Sequence, residues 1–192
     1  MKVSRQKAAE HRERIIDAAG ALFRQNGFDG IGLADIMKAA DLTHGGFYGH
    51  FASKDDLAAQ ASKRAMARAA VNWGKIVAGA KNNPYAALLD HYLSPRHRDD
   101  PGHGCAFAAL GGDAARCGKA VRTAFAEGLE ALIDIVAKAV PDRSKAVRRR
   151  KAVAAVAELV GALTLARAID DAALSDEILK AARHELLAAV SR

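Results

Sequence analysis

The chain has 192 residues, enough for one or two compact domains and too few for a long multidomain array. Alanine and leucine dominate, only 4 prolines occur, and runs of alternating Val, Ile and Thr are absent, so strands have little to be built from and an all-α fold is expected. The formal charge of +7 suits an anionic partner such as nucleic acid, yet residues 1–60 hold eight Lys/Arg against eight Asp/Glu, so bulk charge gives such a site no location.

Two cysteines, Cys105 and Cys117, are too few for a disulfide framework, and no Cys-x-x-Cys pair is present, which fits a reducing cytoplasm. The N-terminus is basic without an apolar core behind it, and no run approaches about eighteen apolar residues. Export and a membrane partner are therefore not expected.

In chain order, Ile15, Ile16, Ala19, Leu22 and Phe23 share one helical face, and Gly27 followed by Phe28 gives a glycine stop, so a helix is expected over residues 7–26. A short helix over residues 33–40 buries Leu33, Ile36, Met37 and Ala40, and a second begins after Thr43, a good N-cap. Ser53 caps a long helix reaching residue 80, with Asp56 at the capping-box position. Pro84 opens a helix to about residue 93, and the charged, proline-bounded stretch 94–104 reads as a mobile loop. Helices over 105–116, 119–140, 146–169 and 174–190 complete about nine in all.

Two short helices joined by a turn of about three residues form a DNA-reading module when the second enters the major groove and the first braces it. Spacing alone is equally met by an ordinary helix pair. Residue identity separates the two: the run Leu33 to Phe51, with Phe47-Tyr48-Gly49-His50-Phe51 followed by Ser53-Lys54-Asp55-Asp56-Leu57, closely resembles the TetR family of repressors over about the first sixty residues. The resemblance implies a three-helix helix-turn-helix DNA-binding domain at 1–52 and a helical ligand-binding and dimerisation bundle at 53–192.

The run departs from the family pattern at Gly32, where a Thr N-cap is usual, and at Asp41, where the turn usually has Gly. More consequential are Gly45, Gly46 and Gly49 inside one short helix, each costing on the order of 1 kcal/mol against Ala in a helix interior. Such a helix needs Phe47 and Phe51 packed against its neighbours, and its bare surface lets backbone approach DNA. By the resemblance, Thr43, His44 and Gly45 meet the groove while Tyr48, His50 and Lys54 hold phosphates. On residue type alone, His50 also reads as a solvated or capping histidine and Tyr48 as a half-buried aromatic. Lys2, Arg5 and Lys7 read either as phosphate or minor-groove contacts or as a solvated tail.

One module covers one half-site, so a homodimer on double-stranded operator DNA is expected. Val153, Val156, Leu159, Val160 and Leu163, with Ile178, Leu179, Ala182, Leu186 and Leu187, form apolar stripes on the last two helices that suit either dimerisation or the subunit's own core. The cationic run Arg143, Lys145, Arg148, Arg149, Arg150 and Lys151 opposes the dipole of the helix it opens, which suggests pairing with acids of another helix or subunit.

By the resemblance, the long C-terminal helices hold an effector pocket, for which Trp73, Tyr92, Cys105, Phe107, Leu110, Phe125 and Leu129 are candidate lining residues, with plain core packing as the alternative. The segment from Gly104 to Gly111 resembles one found in a TetR subgroup, some of whose members respond to electrophiles or oxidants through a cysteine. Cys105, at a helix start beside His103, is the matching thiol, and an inert buried thiol is the alternative.

A cysteine-dependent enzyme would use Cys105 with His103 or His91 as base, but no third orienting group is identifiable. His91, His97, His103 and Cys105 lack a recognised zinc-ligand spacing, and Gly102-His103-Gly104 follows no strand. The reading is a repressor released by a small molecule or an electrophile, without enzyme activity, metal or cofactor. The alternatives are a cysteine-dependent enzyme and a non-specific helical nucleic-acid binder.

Overall fold

A computed structural model of the chain describes residues 5–191. Among these, nine α-helices and two 3-10 segments follow one another without a strand: α1 (Arg5–Asn26), α2 (Leu33–Ala39), a 3-10 segment (His44–Gly49), α3 (Lys54–Gly79), α4 (Pro84–Tyr92), α5 (Pro95–Asp99), a second 3-10 segment (Pro101–His103), α6 (Ala106–Ala114), α7 (Lys119–Ala139), α8 (Lys145–Ala168) and α9 (Ala172–Ser191). No described helix is long and apolar enough to cross a membrane. The chain forms two compact units, residues 1–66 with 101–126 and residues 67–100 with 127–192.

The first unit is built on α1. Its apolar stripe, Ile15, Ile16, Ala19 and Phe23, lies in one core cluster with Ile36 and Met37 of α2, Phe47 and Phe51, Leu57 and Ala61 of α3, Leu110 and Ala114 of α6 and Val121 and Phe125 of α7. α1 ends as its sequence dictates. Gly27 takes φ +78 and its N–H donates to the Phe23 carbonyl at 2.8 Å, while Phe28 folds back edge-on to the Phe23 ring at 5.3 Å. Asp113 of α6 accepts the Phe28 N–H at 3.2 Å, and Arg24 donates through Nε to the Gly102 carbonyl at 2.9 Å.

α2 closes with the same logic and a less suitable residue. The Leu42 N–H reaches the Met37 carbonyl at 2.9 Å and the Asp41 N–H reaches Lys38 at 3.0 Å, a Schellman closure whose left-handed residue is Asp41 at φ 55. Aspartate tolerates this conformation better than most side chains, at some cost relative to glycine. α3 opens with Ser53 Oγ accepting the Asp56 N–H at 3.1 Å while Asp56 reaches back to the Ala52 N–H at 3.1 Å. The half of the capping box carried by Ser53 is thus present as expected, while the reciprocal bond from Asp56 goes to the Ala52 N–H, one residue before the cap.

The second unit corrects the expectation for residues 94–104. Residues 95–99 form α5, capped by Ser94, whose Oγ accepts the His97 N–H at 3.2 Å. Arg167 of α8 donates to the carbonyls of Arg98 and His97 at 3.0 and 2.6 Å. Arg98 donates to Ser175 at 3.0 Å and pairs with Asp176 at 2.6 Å. Charge and proline suggested mobility, but the arginines are spent on anchoring the turn. Similarly, Arg149 pairs with Glu130 of α7 at 2.8 Å and Lys151 with Asp142 at 3.6 Å, the pairing with acids expected of that cationic run.

Val156, Leu159, Leu163, Leu179, Ala182 and Leu186 are buried within this one chain, so most of the stripes assigned to dimerisation serve its own core, where α8 packs along α9. Val153, Leu165 and Leu174 stay exposed.

The two helix stops make a paired prediction. Gly27→Ala forces a Cβ into a left-handed position 2.8 Å from the Asp113 carboxylate and should destabilise the fold by about 1–2 kcal/mol. Asp41→Gly relieves its stop and should be neutral to stabilising by up to about 1 kcal/mol. Urea unfolding of both variants checks the opposite signs.

Candidate nucleic-acid interface

The segment expected to enter the groove is a six-residue 3-10 helix, not an α-helix. Its glycines explain the difference, since they disfavour regular helix and leave the segment to be shaped by what anchors it. The anchors are Phe47, fully buried, and Phe51, whose rings stack at 5.6 Å within the core formed by α1, α2 and α3. The segment begins with the Gly46 N–H on the Thr43 carbonyl at 3.1 Å and closes with the N–H groups of His50 and Phe51 on the Phe47 carbonyl. Thr43, expected as a side-chain cap, makes no capping bond through its hydroxyl, which is left exposed.

Everything else on the segment faces outward. His44, Gly45, Gly46 and Gly49 are exposed, and Tyr48 is 71% exposed with its ring edge-on to Phe47 at 5.1 Å. A Cβ at Gly45 or Gly49 would meet no atom of the protein within 4 Å, so these positions present bare backbone to whatever docks there. Lys54 is half-buried at the start of α3. Thr43, His44, Gly45, Tyr48 and Gly49 thus form one exposed run, with His50 and Lys54 at its end.

His50 is half-buried, and burial first, then His11 and Arg12 of α1, hold its pKa below the ordinary imidazole value. Its ring lies 6.2 Å from that of His11. Arg12 stands over the Phe51 ring at 5.3 Å and hydrogen-bonds Gln60 of α3. Sequence reasoning did not single out His11 or Arg12. Their only signal was position, one turn before Ile15 and Ile16 on the face turned toward the core. Arg5 and Lys7 lie exposed at the start of α1, and Lys2 falls outside the described residues.

The candidate effector residues divide between the two units. Trp73 and Tyr92 pack edge-on at 5.5 Å in the second, where Leu129 is 36% exposed. Phe107 and Phe125 pack edge-on at 5.3 Å in the first, with Leu110 buried beside them in the same core. Cys105 occupies the N-cap position of α6, and its thiol is buried without capping the helix. Among the described residues no group of three or more His, Cys, Asp and Glu is disposed to hold a metal ion.

Residues 15–61, which contain the second half of α1, α2, the turn, the 3-10 segment and the start of α3, match the bacterial regulatory proteins of the tetR family. Over this segment the chain is similar to the TetR family. Its DNA-binding segment is 44% identical over 54 residues to the HTH-type transcriptional regulator AcrR of Shigella flexneri, a match over 28% of this chain and 25% of that protein. A longer match, 25% identical over 138 residues and 69% of both chains, is to the HTH-type transcriptional repressor NemR of Escherichia coli K12. A TetR transcriptional regulator from Chloroflexus aurantiacus has the same fold, with a TM-score of 0.79 and 25% identity over 97% of both chains.

Because Gly45 and Gly49 open onto empty space, Gly49→Ala should fold at least as stably as the wild type, yet bind duplex DNA at least about tenfold more weakly, on the order of 1.4 kcal/mol. Thermal unfolding and a gel shift on the same preparation separate the two effects, and unchanged affinity would contradict close backbone approach.

Proposed function

We propose that the chain is a cytoplasmic transcriptional repressor that binds a partly palindromic operator as a homodimer and is released by a small molecule or an electrophile. Residues 1–52 read DNA in this account, and residues 53–192 hold the effector and the dimer contact. The observation that carries it is the 3-10 segment itself, held from beneath by Phe47 and Phe51 and bare on its outer face. In that arrangement Thr43, His44 and Gly45 contact base edges, and Tyr48, His50 and Lys54 contact phosphates.

Two modules are needed to bind a two-fold site with useful affinity. Since the inner stripes of α8 and α9 are used within the subunit, the dimer contact falls on what they leave outside: Val153, Ala157, Gly161 and Leu165 on α8 and Leu174 and Ala181 on α9, all exposed or half-buried. Small residues among larger apolar ones let two helices approach closely.

Release requires an effector that distinguishes the DNA-competent state from another. Cys105 and Asp113 lie at opposite ends of α6, and Asp113 holds the turn that ends α1. Modification of the Cys105 thiol adds volume at a buried helix start and displaces α6, and with it the Asp113 carboxylate that holds the Phe28 N–H. The likeness to NemR over 69% of the chain favours the repressor reading.

Selection of duplexes from a random library tests DNA reading directly. A partly palindromic sequence bound about 10³-fold or more above random duplex supports it, and equal binding of all sequences would sink it. Cys105→Ser should then keep operator affinity but lose release by thiol alkylators; release at wild-type concentrations would remove Cys105 from the mechanism.

A further inference from the structure

α1 sends two basic side chains toward the end of the recognition segment. His11 and His50 lie with ring centroids 6.2 Å apart and planes at 67°, beside an Arg12 guanidinium fixed over Phe51 and bonded to Gln60. Both imidazoles are half-buried, and the His50 backbone is fixed by its N–H bond to the Phe47 carbonyl at 2.9 Å. Three groups able to carry positive charge thus converge where the exposed run of the interface ends, an arrangement offset only in part by Glu13, which lies beside Arg12 and is shared with Arg64.

The carboxylates on the neighbouring elements have other partners. Glu13 of α1 pairs with Arg64 at 2.5 Å and lies 3.9 Å from Arg12. Asp56 of α3 accepts from Gln60 at 2.7 Å and from the Ala52 N–H. The remaining charged groups on these elements are Arg5, Lys7, Glu10, Arg14, Asp17 and Arg24 on α1, and Lys54, Asp55, Lys63, Arg68 and Lys75 on α3.

We propose that His11 and His50 form a two-imidazole clamp for one backbone phosphate of the duplex, and that closing the clamp takes up protons. The proposal rests on the DNA-binding reading above and adds to it a residue of α1 and a pH response. Two rings at this spacing can each donate an N–H to the same phosphate at about 2.8 Å. In the free protein, burial, His11 and Arg12 disfavour the charged form of His50. A bound phosphate reverses the balance and favours charge on both rings. Binding therefore raises the His50 pKa, and affinity rises as pH falls from above the bound value toward the free one. The gain is lost at higher pH, where His50 is neutral in either state.

The test uses the full chain and the duplex obtained by selection. Wild-type affinity should tighten about tenfold or more from pH 8 to pH 6, and His11→Gln and His50→Gln should each flatten that response to about twofold or less. His11→Lys, which supplies a fixed charge, should bind at least as tightly as wild type at pH 8 and show the weaker pH response. Without DNA, His11→Gln should shift the NMR titration midpoint of His50 upward. Identical pH profiles for wild type and the two Gln variants, with the duplex still bound, would overturn the clamp alone; an unmoved His50 midpoint would overturn the pairing on which it depends. If no duplex is preferred over random DNA, the DNA-reading account fails first and the clamp falls with it.

Discussion

The stack of Phe47 on Phe51 is the contact on which the proposed DNA-facing surface depends. A six-residue segment with three glycines has little tendency to hold any shape, the deficit being on the order of 3 kcal/mol relative to alanines. Burying the two phenylalanines returns about 1.5–3 kcal/mol each, and the ring pair adds about 0.5–1.5 kcal/mol. The two contributions are of similar size, so the segment is ordered by its anchors and not by its own hydrogen bonding. That division leaves the outer face free of structural duty, and glycine there exposes backbone instead of side chains.

The same core connects the surface to α6 and α7. Leu110, Ala114, Val121 and Phe125 lie in the cluster that holds Phe47 and Phe51, and Asp113 and Gly102 receive bonds from the end of α1. Residues far along the chain are therefore part of the unit that carries the DNA-facing segment. α6 meets the rest of that unit through these packed side chains and through Asp113 on the Phe28 N–H.

Much of this was legible in the sequence. The periodicity of Ile15, Ile16, Ala19 and Phe23 placed α1, Gly27 and Phe28 marked its end, and the left-handed turn at Asp41 followed from the family pattern it departs from. The glycines foretold a weak recognition helix, although not that it would be 3-10. What the sequence concealed depends on partners distant in the chain. Arg98 of α5 looked like loop charge because Asp176, Ser175 and the role of Arg167 lie about seventy residues away. The stripes of α8 and α9 read as a dimer face with the subunit's own core as the alternative, and only packing showed which side chains the subunit keeps for itself. His11 and Arg12 carried no motif, so their place beside His50 emerged only in three dimensions.

The central claim is that this chain reads DNA with bare backbone, held from beneath by two phenylalanines. A crystal structure of the full chain on its selected duplex tests it most directly. The account predicts the 3-10 segment in the major groove, with the Cα atoms of Gly45 and Gly49 within about 4 Å of the DNA. A complex in which those glycines face solvent and other side chains fill the groove would contradict it.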